Sequence, residues 1–327
     1  MGPEEYESVV RTARLPSGLL WGMPVVLDAP RGARAAPGDH VLLSHGGRDV
    51  GVLRVESSYA PCKATEAHHV YGTASLAHPG VRHVALERGP TYLGGHVTAL
   101  ERPRRPYRAP TPAEVRASLP PRRHVVAFQC RNPVHRAHYE LFTRALSAPN
   151  VGDGAVVLVH PTVGPTQEDD LDGESRIRSY EALARDAPDP RVRWAYLPYS
   201  MHLAGPREAL QHMVIRRNYG CTHFIIGRDM AGCKSSLTGE DFYAPYAAQE
   251  AANASCAELG MQTVPSRTVV YTEEKGYVYA EEAKEQDLHV LSLSGTKFRK
   301  MLRAGEDIPE WFAFPSVVRA LRGGGRA

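Results

Sequence analysis

The chain has 327 residues, 43% of them hydrophobic and 23% charged, with a formal net charge of +3. That composition supports a packed core, and the length suggests about two domains; the small net charge gives no support for a nucleic-acid or membrane-surface partner. Five scattered cysteines (Cys62, Cys130, Cys221, Cys233 and Cys256), none in a C-x-x-C pair, argue against a disulfide framework and a structural zinc site. With a polar, acidic start in place of a signal peptide, and no apolar run near the roughly 20 residues of a membrane helix, they predict a cytoplasmic protein.

Within the first hundred residues, short apolar runs at 19–27, 40–43, 50–55 and 81–86 read as strands between Gly and Pro, predicting a small, mostly β module. A basic, Pro-rich connector follows at 101–123. Inside it Thr111-Pro112-Ala113-Glu114 has the capping-box form, which predicts one short helix. From 124 onward apolar runs at 124–128, 155–159, 193–197 and 222–226 alternate with helical patterns at 134–146, 174–186, 206–219 and 245–259. Alternation of this kind predicts βαβ units and a parallel sheet covered on both faces, with ligands beyond the carboxyl ends of its strands. The resulting division is a β-rich domain at 1–110, an α/β domain at 111–285 and a helical C-terminal subdomain at 286–327. The Gly/Arg-rich tail at 322–326 is expected to fray.

Three motifs fall where such a sheet binds anions. The first strand runs into Gln129-Cys130-Arg131-Asn132-Pro133-Val134-His135-Arg136-Ala137-His138. Pro133 suits the first turn of the following helix, and His135 and His138, three apart, share one face of that turn. Imidazoles beside the free N–H groups of a helix N-terminus suit a phosphate, and Gln129 and Arg131 are placed to hold a second oxyanion. After the strand at 222–226 comes Gly227-Arg228-Asp229-Met230-Ala231-Gly232, where small residues let N–H groups approach an anion and Arg228 adds a forked cation; Arg228–Asp229 reads equally as a loop-stabilising pair. Ser294-Gly295-Thr296-Lys297 opens a helix running to about residue 302, a triphosphate-binding start or a capped helix with exposed Lys297 and Arg299. Asp169, Asp170 and Asp172 read as a solvated acidic loop with a weaker claim to a divalent cation. Cys130 and Cys233 have no evident base beside them and read as inert.

QCRNPVHRAH resembles the Q-T-R-N-P-x-H-x-A-H signature of the ATP sulfurylases (sulfate adenylyltransferases). The resemblance continues through HPGV at 78–81, AGPREALQHMVIRRNYGCTHFIIGRDMAG, DFYAPYAAQE and LSGTKFRKMLRAGEDIPEWFAFP, in the family's order. It implies a PUA-like N-terminal β domain and a Rossmann-like nucleotidyltransferase α/β domain of the H-x-x-H type. It also implies AMP transfer from ATP to sulfate, with Mg²⁺ on the ATP phosphates and a homo-oligomer, a dimer, as the working form. By this resemblance Gln129, Arg131 and the backbone of Ala231 hold sulfate. His135, His138, Asn132, Arg228 and the Ser294-Gly295-Thr296 turn meet the ATP phosphates, with Asp229 beside them, while Gly227 and residues 265–271 line the adenosine pocket. Arg131, Asn132, His135, His138 and Arg228 would be the catalytic set.

Four positions depart from the family's pattern: Met230 stands for its His, Gln167 for its Lys, Cys233-Lys234 for its Pro-Gly, and His202 for its Arg. The match also begins well inside the family's N-terminal domain, implying a shortened start and no appended kinase module. The departures keep two other readings in view, an adenylyltransferase for another oxyanion or a phosphorylated or sulfonated small molecule, and a non-catalytic nucleotide-binding paralogue.

Overall fold

A computed structural model of the chain describes residues 1–167, 170–265 and 267–323; Asp169 and the end of the Gly/Arg-rich tail, 324–326, lie outside the described residues. The chain divides into two compact units, Met1–Arg105 with His202–Ile215 and Arg228–Ser255, and Pro106–Met201 with Arg216–Gly227 and Cys256–Ala327.

The first unit opens with helix α1 (Pro3–Thr12), which the sequence reading passed over although Tyr6, Val9 and Val10 already carry its buried face. A four-stranded antiparallel sheet of β1 (Leu27–Ala29), β2 (His40–His45), β3 (Arg48–Tyr59) and β4 (Thr91–Ala99) follows in the order β1-β4-β3-β2. Helix α2 (Lys63–Tyr71) and the short α3 (Pro79–Arg82) lie between β3 and β4. Two expected strands are corrected here. Residues 19–26 pair only through a bridge at Leu20 before β1, and Gly22 lies so close to the segment around Arg207 that a Cβ would stand 2.3 Å from the Arg207 carbonyl. Residues 81–86 are helical: the His78 ring accepts from the N–H of Gly80 at 3.0 Å, Pro79 starts α3, and a π-helical turn continues over His83–Glu87. Val81 and Val84, three apart, are both buried, so the apolar spacing was helical rather than alternating.

The second unit begins at α4 (Pro112–Ser118). Its capping box forms as the sequence predicts: Thr111 Oγ1 accepts from Glu114 N at 3.3 Å, while Thr111 N donates to Glu114 Oε2 at 2.6 Å. Thr111→Ala should lower stability by about 1 kcal/mol, seen as a fall in the urea midpoint with an unchanged m-value.

The sheet of this unit contains β5 (Val125–Phe128), β6 (Val156–Val159), β7 (Val192–Trp194), β8 (His223–Ile225) and β9 (Gln262–Val264), all parallel, in the order β7-β6-β5-β8-β9. Its three central strands, β6, β5 and β8, are buried throughout, as a covered parallel sheet requires, while the edge strands β7 and β9 are only partly buried. In chain order the helices between its strands are α5 (Arg136–Arg144), α6 (Gly173–Asp186), α7 (Pro206–Asn218) and α8 (Ala247–Leu259), of which residues 206–215 and 247–255 fall in the first unit. A three-stranded antiparallel sheet, β10 (Val269–Thr272), β11 (Gly276–Tyr279) and β12 (Val290–Leu291), follows with α9 (Ala280–Glu285), α10 (Gly295–Ala304) and α11 (Pro315–Gly323). Helix α11 packs on α6, and its Val317 and Val318 join the core that contains Val126, Phe128, Val157 and Tyr180. Among the described residues no helix is long and apolar enough to cross a membrane.

Candidate active site

The sheet winds outward in both directions from β5 and β8, which pair side by side with Phe128 opposite Ile225. Ligands of doubly wound sheets sit beyond the carboxyl ends at this switch point. The first motif leaves β5 here and Gly227 follows β8.

Pro133 does not enter the helix as expected; α5 starts at Arg136, with His135 as its N-cap in an extended conformation, φ −90° and ψ 170°. The preceding segment is pinned. Val134 is buried, Tyr180 donates its hydroxyl to the Asn132 carbonyl at 3.0 Å, and the N–H of Arg136 goes to the Phe312 carbonyl at 2.9 Å. His135 and His138 therefore occupy the N-cap and third helical positions. Their rings stack with centroids 3.7 Å apart, and Phe312 lies against His135 at 5.1 Å.

Both imidazoles line a cavity of about 120 Å³ with Asn132, Gly295 and Arg299, closed by Leu171, Phe298, Phe312 and Val317. Burial pushes the His138 pKa down to about 4; burial, and secondarily the neighbouring His138, hold His135 well below its ordinary value. The pair is thus neutral near pH 7, and each ring is able to hydrogen-bond but carries no charge. The Nδ1 atoms of both rings are buried without a partner among the described residues, a condition that a bound oxygen would relieve. Burial likewise lowers His78 and His202 from 6.5 to about 4. As the pH falls through 6.5 the unfolded chain binds protons that the folded chain refuses, so this stabilisation is complete above 6.5 and is lost on the way to 4. The melting temperature should accordingly be lower at pH 5 than at pH 7, and a flat or rising profile would contradict the burial of these rings.

Gln129 and Arg131 occupy the adjoining loop. Gln129 donates from Nε2 to Thr162 Oγ1 at 3.4 Å. One Arg131 terminal nitrogen pairs with Asp170, whose side chain is only 3% exposed, and the other donates to Gln167 Oε1 at 3.2 Å. Asp170 is thus buried against Arg131 rather than solvated, which corrects the reading of that acidic loop. Asp172 instead caps α6, accepting from Ser175 N at 2.8 Å. Among the described residues no group of three or more His, Cys, Asp and Glu side chains is placed to hold a metal.

Ser294, Gly295 and Thr296 are exposed at the start of α10; Ser294 Oγ accepts from Lys297 N at 3.2 Å, and Gly295 reaches the histidine-lined cavity. Gly227 belongs to the same compact unit. Arg228, Asp229 and Ala231 belong to the other. There Arg228 and Asp229 are exposed, with Nε and Oδ1 3.5 Å apart, and Ala231 is buried in a left-handed conformation (φ 55°), its carbonyl accepting from Gly205 N at 2.9 Å. Met230 is buried beside it in the chain. The sequence reading overlooked Phe312, Phe298 and Arg176, although EWFAFP at 310–315 showed an aromatic cluster.

The ATP-sulfurylase family model matches residues 107–323, and the PUA-like domain model matches residues 1–102. The chain is 42% identical over 329 residues to the sulfate adenylyltransferase of Deinococcus radiodurans, covering 98% of this chain and 82% of that protein. It is 39% identical over 335 residues to that of Eremothecium gossypii and 40% identical over 333 residues to that of Schizosaccharomyces pombe, again over 98% of this chain. It spans 65% and 67% of the length of those two fungal relatives. Among solved structures, a hexameric APS kinase from Thiobacillus denitrificans superimposes with a TM-score of 0.75 at 25% identity, over 99% of this chain and 58% of that one.

Proposed function

The chain belongs to the ATP sulfurylase family, and from that premise we propose that it is a sulfate adenylyltransferase, converting ATP and sulfate to adenosine 5′-phosphosulfate and pyrophosphate. The observation that supports the reading is the adjacency, beyond β5, of a neutral histidine-lined cavity at the N-terminus of α5 and the braced side chains of Gln129 and Arg131.

Sulfate is already a dianion at neutral pH, so its attack on the α-phosphorus requires no general base; the barrier lies in bringing two anions together and stabilising the departing pyrophosphate. Positioning and donors to developing charge answer both needs. In this scheme Gln129 and Arg131 hold sulfate with one oxygen in line with the scissile bond. His135, His138 and the N–H groups of Ala137 and His138 in the first turn of α5 donate to the phosphate oxygens that become pyrophosphate, with Asn132 beside them. Ser294, Gly295 and Thr296 complete the phosphate contacts, and Gly227 borders the nucleoside. Mg²⁺ would enter with ATP and lower the charge of its phosphates.

Measuring pyrophosphate release from ATP with and without sulfate tests the proposal. Sulfate-dependent release is expected; ATP binding with no release would refute it.

A further inference from the structure

We propose that Arg176, which no motif singles out, is the positioning residue of the oxyanion half of this site and a source of positive charge for it. The inference rests on the reading of Gln129 and Arg131 as sulfate ligands. Arg176 is 1% exposed, and its guanidinium reaches backbone carbonyls on each segment that builds the pocket. One terminal nitrogen donates to the Thr162 carbonyl at 2.7 Å and to the Arg131 carbonyl at 3.1 Å; the other donates to the Gly164 carbonyl at 2.9 Å, and Nε lies 3.4 Å from the Asp172 carbonyl. The loop after β5, the loop after β6 and the start of α6 are therefore tied to one planar group. Gly173 permits this convergence, because a Cβ there would stand 2.4 Å from the Val163 carbonyl.

Each tied segment carries a pocket residue. Arg131 is itself held, Thr162 receives the Gln129 amide, and the stretch between Gly164 and Asp172 carries Gln167 and Asp170, which brace the Arg131 side chain. The charge balance points the same way. Asp170 offsets the charge of Arg131, whereas Arg176 has only carbonyl partners and no ion pair among the described residues. A buried guanidinium satisfied only by carbonyls keeps its net charge, and a low-dielectric surrounding lets that charge act on a nearby dianion. As a mere loop tie it would be an expensive choice, since an apolar residue of similar volume can pack there without burying a charge.

Arg176→Gln and Arg176→Lys in the full chain test this, with sulfate and ATP varied separately and melting curves recorded alongside. Arg176→Gln should raise the KM for sulfate about tenfold or more and leave the KM for ATP within about threefold, with Arg176→Lys falling between it and the parent because charge is kept while the fork is lost. An unchanged sulfate KM, or parallel rises in both KM values, overturns the proposal. If Arg176→Gln does not fold, Arg176→Lys decides by the same two readings. A parent protein that binds ATP but never turns over sulfate refutes the functional reading instead, and that result is visible before any variant is made.

Discussion

His138→Ala is expected to lower kcat for pyrophosphate release about 100- to 1,000-fold, the loss that follows removal of a preorganised donor to developing charge. His138 lines the cavity at the start of α5, stacked on His135 at 3.7 Å and 5.8 Å from the Phe128 ring. That packing fixes the imidazole before any ligand arrives, so in the proposed reaction little reorganisation would accompany charge development at the leaving oxygens. The other contribution at this helix end is the macrodipole, on the order of 0.3–1 kcal/mol, too small to substitute for the lost group. Because burial lowers the pKa to about 4, the residue acts as a neutral imidazole, and His138→Asn, which keeps an N–H donor on a shorter stem, should recover part of the rate. Truncation also leaves a gap against Phe128, so melting curves must accompany the kinetics. A folded His138→Ala protein with kcat within a few-fold of the parent would remove the imidazole from the phosphate site.

The centre of the second unit's sheet was legible because β5, β6 and β8 are short buried runs, and both motif exits fell at β5 and β8; the edge strand β9, Gln262–Val264, was missed because its polar, partly exposed residues carry no such run. The first unit was less so. Val81 and Val84 sit three apart in a run short enough to pass for a strand, and the deciding cap, the His78 ring accepting from the N–H groups of Gly80 and Val81, is a side-chain geometry no periodicity reveals. The small sheet of β10, β11 and β12 escaped notice because its four-residue and two-residue strands offer too few alternations to read. At the site, residue types and chain positions were legible but charge states and partners were not. The histidines were readable as phosphate-facing imidazoles, but their charge state was not: stacking and burial hold them neutral near pH 7. Gln167 looked like a lost cation; in the fold its carbonyl oxygen orients Arg131. His202, read as a titratable replacement, is buried and held neutral near pH 7.

That bracing of Arg131 leads to the second large effect. Arg131→Lys should reduce kcat/KM for sulfate about 100-fold while ATP binding changes little, because a guanidinium and an ammonium are not equivalent at a braced site. Arg131 has one terminal nitrogen committed to Asp170 and the other to Gln167, which leaves its remaining N–H groups pointing in a fixed direction as donors. A lysine carries one compact charge on a flexible stem. Beside the buried Asp170 carboxylate it would settle into an ion pair and turn away from the oxyanion. Asp170→Asn separates charge from geometry: the amide keeps an acceptor for Arg131 but removes the offsetting negative charge. If attraction for sulfate limits the reaction, Asp170→Asn should lower the sulfate KM; if the direction of the guanidinium limits it, kcat should fall instead. Sulfate kcat/KM for Arg131→Lys within about threefold of the parent would show that charge alone suffices at this position and that the brace has no catalytic consequence.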